Sequence, residues 1–229
     1  GAPFIKKFRE ERELLVMLLV DLSASGHFGT VNRAKNQVAA EAAAILAFSA
    51  IKNNDKVGMI VFTDQIELFI PPKKGRSHVL RLIREILYFE PKGRGTNITL
   101  ALEFLGKVAR RKSVAFLISD FFDKGYERNL AVAHRRHDVI AVQVTDPRER
   151  LWVDVGLIEM EDYETGRRMV IDTSNPRARS SFERTVTLTE QRRKRFFDSI
   201  SLDTVTVSTE RPIADGLIRF FRQRERRRR

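Results

Sequence analysis

The stretch LLVMLLVDLSAS, residues 14–25, decides the fold class of this chain. It opens with seven consecutive apolar residues, which are too few to span a bilayer. A short apolar run that stops at a polar loop is typical of a strand buried on both faces of a parallel sheet. The run ends at Asp21, and Ser23 and Ser25 follow at alternate positions. The sequence therefore predicts a buried strand whose carboxyl end carries oxygen-bearing side chains.

The rest of the chain repeats this rhythm of buried strands and helices. Further strands are predicted at 56–62, 66–70, 113–119, 138–145 and 204–208. Helices are predicted at 32–52, 77–88, 97–110, 127–136, 175–200 and 213–222. Because strands alternate with helices, we expect an α/β fold with a doubly wound, mostly parallel sheet and helices on both faces. The strand at 66–70 follows its predecessor at hairpin spacing, so we expect an antiparallel edge strand that Pro71-Pro72 closes.

The pattern changes after Pro147. Residues 157–161 and 167–171 flank Thr165-Gly166 and predict a β-hairpin. We expect this hairpin to be an insertion, at about 153–172, into a single domain over 14–221, because the last strand and helix resume the earlier rhythm. The remaining residues, 222–229, read RQRERRRR and are predicted to form a basic disordered tail.

The composition limits what the chain can do. With 42% hydrophobic and 31% charged residues, it can bury a large core. It contains no cysteine, which excludes disulfides, thiolate zinc sites and cysteine nucleophiles and is compatible with the cytoplasm. No apolar run reaches the roughly 18 residues that span a membrane, so we expect no membrane contact from this segment. The formal net charge of +12 favours an acidic partner.

Oxygen-bearing side chains cluster where ligands bind in open parallel sheets, at the carboxyl ends of the strands. Three follow the first strand, one precedes the helix at 97–110, and one follows the strand at 113–119: Asp21, Ser23, Ser25, Thr96 and Asp120. Hard oxygen ligands without nitrogen or sulfur suit Mg²⁺, Mn²⁺ or Ca²⁺. The sequence therefore predicts a metal site at this edge of the sheet.

Three neighbours of these residues support the same hypothesis. Gly95 would let the backbone turn sharply beside the ion, and Asn97 begins the helix that follows Thr96. Asp123 would either brace the metal shell from outside or cap the following helix. The alternative for the whole set is structural: the aspartates would cap strand ends, and the serines would cap a helix.

The segments DLSAS (21–25), GTN (95–97) and ISD (118–120) together resemble the metal-ion-dependent adhesion site of von Willebrand factor A domains. The resemblance implies that Ser23, Ser25 and Thr96 bind the metal directly. It implies that Asp21 and Asp120 act largely through water. One coordination position is then left for a carboxylate from a partner protein. A site with so few charged direct ligands can be weak and empty at rest.

Longer segments of the chain resemble one particular family. FREERELLVMLLVDLSAS, GRGTNITLAL, LISDFFD, VTDPRE and DVGLIEMEDYETG are similar to a bacterial family called domain of unknown function 58. The resemblance implies that residues 1–13 are the N-terminal lead-in of the domain and belong to an upstream segment that is truncated here. It also implies a role as an adaptor or cofactor for a MoxR-type AAA+ ATPase in protein maturation or complex assembly. One departure is Gly26, where relatives often carry methionine, and it is expected to loosen the loop without removing a ligand.

Enzyme classes fit the sequence poorly. It has no GxxxxGK[ST] phosphate loop and no G-x-S-x-G nucleophile elbow. An aspartyl-phosphate phosphatase built on Asp21 would need a second aspartate where Ser23 stands. We therefore expect a non-enzymatic, metal-dependent protein-binding module without a small-molecule substrate. The alternative is a protein that binds nucleic acid or another anionic surface through its basic charge.

Overall fold

The computed structural model describes residues 13–27, 33–161, 166 and 168–227 of the chain. The predicted lead-in up to residue 12, most of the hairpin turn and residues 228–229 lie outside this part. The strands are Leu15–Asp21 (β1), Lys56–Phe62 (β2), Ile66–Lys73 (β3), Val114–Ser119 (β4), Asp138–Thr145 (β5), Leu157–Glu161 (β6), Arg168–Asp172 (β7) and Asp203–Ser208 (β8). The helices are Lys35–Lys52 (α1), Arg76–Leu87 (α2), Ile98–Val108 (α3), Glu127–Arg136 (α4), Pro176–Ser199 (α5) and Ile213–Arg227 (α6).

Six strands form one sheet in the order β3-β2-β1-β4-β5-β8. All neighbours in it are parallel except β2 and β3, so the predicted antiparallel edge strand is confirmed. The prediction that Pro71-Pro72 would close β3 was wrong, because the strand continues to Lys73. An edge strand tolerates residues without an N–H group, and the pairing with β2 shifts register between Val57 and Met59.

Side chains alternate along β1 and divide the core between the two faces of the sheet. Val16, Leu18 and Val20 belong to the core on the face covered by α1, α2 and α6. Met17 and Leu19 belong to the core on the other face, beneath α3, α4 and the end of α5. The result is three layers, helices–sheet–helices, which is consistent with the expected von Willebrand A-like, Rossmann-type fold.

Helix α1 is buried along most of its length because its inward positions carry small residues. Ala39, Ala42, Ala43 and Ala47 are all buried against the sheet and neighbouring helices. Alanine lets a helix approach a sheet closely, and it has the highest helix propensity. α1 is the first α-helix after β1, and its first residue, Lys35, lies near the carboxyl ends of the central strands.

The C-terminal third contains the hairpin and the last helix. β6 and β7 lie between β5 and β8 in the sequence, and they pair antiparallel as a separate two-stranded sheet, as the sequence predicted. α6 continues to Arg227, through most of the segment for which a disordered tail was predicted. Arg224 forms ion pairs with Asp138 and Asp203, and these tertiary contacts explain the longer helix. In the described part of the chain, no helix is both long and apolar enough to cross a membrane.

Candidate functional site

The candidate site lies where β1 and β4 end side by side. The chain winds from β1 towards β3 on one side and from β4 towards β8 on the other, so this is the topological switch point of the sheet. Asp21 ends β1, Asp120 follows β4, and both are buried. Ser119 Oγ donates to Asp21 Oδ2 at 2.6 Å, and the Ser23 amide donates to Asp21 Oδ1 at 3.0 Å.

Asp21 lies in an environment that disfavours its charge. Burial, and after it the negative charge of Asp120, raise the pKa of Asp21 to about 7, although hydrogen bonds from Ser119 and Ser23 lower it. A carboxyl with such a pKa is only partly ionised at neutral pH. Additional positive charge at this edge would restore the ionised form.

The two serines and the loop that carries Thr96 also meet at this edge. Ser23 Oγ and Ser25 Oγ lie 2.9 Å apart. The Ala24 amide donates to the Arg94 carbonyl oxygen at 2.8 Å, and the Asn97 amide donates to the Thr63 carbonyl oxygen at 2.9 Å. Thr96 lies between these two anchors. The structure therefore brings the loop of Thr96 to the loop that carries the serines.

The three supporting residues act on the backbone of this loop. Asn97 Oδ1 accepts a hydrogen bond from the Leu100 amide at 2.9 Å and caps α3. Asp123 Oδ2 accepts one from the Ile98 amide at 2.8 Å, so it caps α3 and not the helix that follows it. Gly95 does not have a positive φ. A β-carbon there would lie 3.3 Å from the β-carbon of Asp64, so glycine allows close packing of the two loops.

Lys35 is a site residue that sequence reasoning missed. Its ammonium Nζ lies 2.6 Å from Asp120 Oδ2 and 2.5 Å from Glu149 Oε1. The lysine side chain is only 2% exposed. Glu149 comes from the short 3-10 turn after β5, so this ion pair joins three distant parts of the chain. Phe122 covers it, with its ring centroid 5.2 Å from Nζ.

The site holds more buried negative charge than positive charge. Burial lowers the pKa of Lys35, but the charges of Asp120 and Glu149 outweigh this effect and raise it, so the lysine is an ammonium ion. Glu149 differs, because burial raises its pKa more than Lys35 lowers it. One ammonium cannot compensate three carboxyl groups. Arg193 is also near, but it donates to the carbonyl oxygens of Asp120 and Phe121.

The backbone is strained directly after Asp120. Phe121 has a φ of 60°, in the left-handed region that bulky residues rarely adopt. Its ring is buried and packs edge-on against Phe197, with centroids 5.3 Å apart, which holds the strained conformation. The turn points Phe121 into the core and leaves Phe122 at the surface beside Lys35.

Gly26 does not loosen the serine loop. Its amide donates to the Ser23 carbonyl oxygen at 3.0 Å, and a β-carbon at position 26 would collide with the side chain of Asn36. The Asn36 amide group also lies 3.4 Å from the Ser23 carbonyl oxygen. Glycine at this position therefore lets α1 approach the loop.

An open cavity of about 590 Å³, here called the groove, adjoins the site. Its polar end contains Ser25, Lys35, Arg148 and Glu149. The remaining walls are mainly apolar and come from the chain after the 3-10 turn, β6 and α5; they include Phe122, Leu151, Trp152, Val155, Ile158 and Phe182. Trp152 stacks on Phe182, with ring centroids 4.0 Å apart.

Among the residues that the structure describes, no three His, Cys, Asp or Glu side chains are placed to hold a metal ion. The predicted ligand set is of a different kind, because three of its five members are hydroxyl groups. The metal hypothesis therefore depends on the hydroxyls and on the charge of the site.

Comparison with known proteins assigns the family. A family model described as "Protein of unknown function DUF58" matches residues 1–193. This chain belongs to the DUF58 family. An uncharacterized protein of Mycobacterium tuberculosis is 29% identical over 229 residues, which cover 98% of this chain and 71% of that protein. An uncharacterized protein of Mycobacterium avium is 29% identical over 162 residues, 69% of this chain and 94% of that protein.

Solved structures support the fold of this DUF58 chain. The conserved hypothetical protein BatB from Bacteroides thetaiotaomicron superposes with a TM-score of 0.62 at 16% identity, covering 94% of this chain and all (100%) of that one. An aerotolerance-related membrane protein from Bacteroides fragilis gives a TM-score of 0.54 at 19% identity, covering 75% of this chain and 87% of that one. At these identities the likeness concerns the fold alone.

Proposed function

We propose that this DUF58 chain is a metal-dependent protein-binding module, and that it serves a MoxR-type AAA+ ATPase in the cytoplasm as an adaptor. The observation that carries the metal dependence is the charge of the site. The buried ammonium of Lys35 pairs with Asp120 and Glu149, and Asp21, whose pKa is raised to about 7, adds a third carboxyl group beside Asp120. A divalent cation among hydroxyl oxygens would balance this charge.

The residues divide into two roles in this proposal. Ser23, Ser25 and Thr96 would hold the ion through their hydroxyl oxygens. Asp21 and Asp120 already accept hydrogen bonds at both oxygens, so they would act through water and supply negative charge. A bound Mg²⁺ would supply a hard Lewis-acidic centre with one position for a carboxylate of the partner.

Lys35 keeps the carboxylates in place before and after the ion binds. It holds Asp120 at the end of β4 and ties it to Glu149 after β5. Because the side chains come from elements that are fixed around a buried sheet, the site is preformed and needs little ordering on binding. The ATPase or its client protein is proposed to supply the acidic residue.

The first experiment is calorimetric titration of the purified chain with Mg²⁺ and Mn²⁺, beside the double variant Asp21→Ala/Ser23→Ala. We expect saturable binding that the double variant loses. The control is Asp198→Ala, which removes an exposed carboxylate of α5 that pairs with Lys194 on the same helix. It should bind both ions like the wild-type chain.

The partner is tested with a MoxR-type ATPase from the same organism. Because the ATPase needs Mg²⁺ for its own nucleotide, the comparison uses the double variant at constant Mg²⁺ in place of a chelator. Loss of the complex in the double variant supports the proposal. Absence of ion binding up to millimolar concentration contradicts it. Nucleic-acid binding that survives chelation and falls steeply with salt would favour the alternative function.

A further inference from the structure

We propose that the groove beside the metal site is a specificity pocket, which receives a bulky apolar side chain directly next to the acidic residue that the partner presents. This inference rests on the proposed function and identifies the partner's motif as a carboxylate followed by an aromatic or large aliphatic residue. In this role the hairpin and the start of α5 form a binding surface, although neither contributes a residue to the metal site.

The groove is continuous with the candidate site. Ser25 and Lys35 line its polar end, and both belong to the site described above. A partner chain that places a carboxylate at the site must therefore pass over the mouth of the groove. The volume of about 590 Å³ lies within the range of ligand-binding cavities and exceeds what one side chain fills.

The apolar walls are exposed to an unusual degree. Phe122 is 48% exposed, Leu151 56% and Val155 65%, and they lie around one cavity. Contiguous exposed apolar surface of this kind marks interaction sites, and burying it gains roughly 25 cal/mol per Å². The Trp152–Phe182 stack gives the groove a rigid aromatic wall, which is typical of positions that dominate binding energy.

Charge determines which occupant fits. Without a metal ion, the three carboxyl groups of the site outnumber its two nearby cations, Lys35 and Arg148. This charge balance disfavours a further carboxylate. A divalent ion together with Lys35 balances the three carboxylates, and Arg148 at the groove wall then leaves a positive excess. Glu159 of β6 also lines the groove, so the hairpin side adds no further positive charge to its lining. A partner segment that presents a carboxylate to the metal ion and an apolar side chain to the neighbouring apolar walls fits this groove.

Trp152 provides a direct readout, because it is the only tryptophan of the chain and lines the groove. The probes are three capped hexapeptides with flanking glycines and the central pairs Asp-Phe, Asp-Ser or Asn-Phe, titrated in saturating Mg²⁺. We expect the Asp-Phe peptide to change Trp152 fluorescence and to bind about tenfold more tightly than Asp-Ser, as expected for burial of a large apolar side chain. Asn-Phe should bind weakly.

The variant Val155→Ser tests the groove without touching the metal ligands. It should weaken Asp-Phe binding several-fold and leave Mg²⁺ binding by calorimetry unchanged. Val170→Ser is a matched control, since Val170 is 69% exposed on β7 and does not line the groove. It should leave both affinities unchanged.

The outcomes separate the two proposals. Equal affinity for Asp-Phe and Asp-Ser, no effect of Val155→Ser, or no peptide binding by a chain that does bind Mg²⁺ would overturn the groove inference and leave the metal site standing. A fluorescence response to lauric acid with none to the peptides would assign the groove to an acyl chain and overturn it as well. Absence of Mg²⁺ binding would remove the proposed function and this inference with it.

Discussion

Lys35 occupies a position that both burial and the helix dipole disfavour. It is the first residue of α1, where the positive end of the helix dipole repels a cation, and its side chain is almost fully buried. The carboxylates of buried Asp120 and half-buried Glu149 offset this cost. A residue that breaks a local rule in this way is expected at a functional or strained site.

Replacement of this lysine gives a prediction about stability. Lys35→Met removes the cation that Asp120 and Glu149 share, so the metal-free protein should lose about 3 to 5 kcal/mol of unfolding free energy. Saturating Mg²⁺ should recover part of the loss, because the ion supplies positive charge to the same carboxylates. Urea unfolding with and without Mg²⁺ measures both effects.

A second lysine of the same helix serves as the control. Lys52 is exposed at the end of α1, and Lys52→Met should change the unfolding free energy by no more than about 1 kcal/mol. Equal stability of Lys35→Met and the wild-type chain would mean that the buried ion pair contributes nothing.

Local sequence pattern was sufficient for part of the site. The acidic and hydroxyl residues could be predicted because strand ends show as breaks in apolar runs, and parallel strands end at one edge. Lys35 and Glu149 could not be predicted in the same way, since their charges acquire meaning only once both side chains are buried together. The sequence did contain one indication: a lysine begins an alanine-rich helix whose composition is otherwise suited to burial.

At the scale of elements, the buried strands were the most predictable. β2 and β5 match their predicted bounds, because a strand buried on both faces is a continuous apolar run with clear ends. The ends of β3 and α6 were not predictable from the sequence. β3 passes through prolines because it lies at the sheet edge, and α6 is extended by ion pairs of Arg224 with residues distant in sequence.

The start of α1 offers a stabilising change. Its N-cap is Ala34, which has no side-chain acceptor, although Gln37 Oε1 already accepts from the Ala34 amide at 3.1 Å. Ala34→Ser would add the missing half of a capping box, so the unfolding free energy should rise by about 1 kcal/mol. Thermal unfolding should show an increase of about 2 to 4 °C.

The same substitution inside the helix is the control. Ala44→Ser lies in the interior of α1, where serine has a lower helix propensity, and should lower the unfolding free energy by about 0.5 kcal/mol. A destabilising effect of similar size for Ala34→Ser would show that the helix start has no room for the cap.

At the scale of the whole molecule, the buried carboxylates connect the site to global stability. The pKa of Asp21 in the folded chain, about 7, lies above its ordinary value of 3.8, so folding disfavours the ionised form. As pH rises from 4 to 7, the unfolded chain loses this proton before the folded chain does. The contribution of Asp21 to stability therefore falls across this window and is constant above it.

Asp21→Asn removes this pH dependence because asparagine does not ionise. In the presence of chelator, the variant should be more stable than the wild-type chain at pH 8 by about 1 to 4 kcal/mol and should differ little at pH 4. Denaturant unfolding between these pH values measures the slope for each protein. Saturating Mg²⁺ should flatten the wild-type curve, since the ion favours the ionised carboxylate, and should leave the variant unchanged.

Asp198→Asn, at an exposed position of α5, is the control and should keep the wild-type slope in chelator. Parallel curves for Asp21→Asn and the wild-type chain would show that Asp21 carries no excess charge cost, and the charge argument for a bound cation would lose its main support.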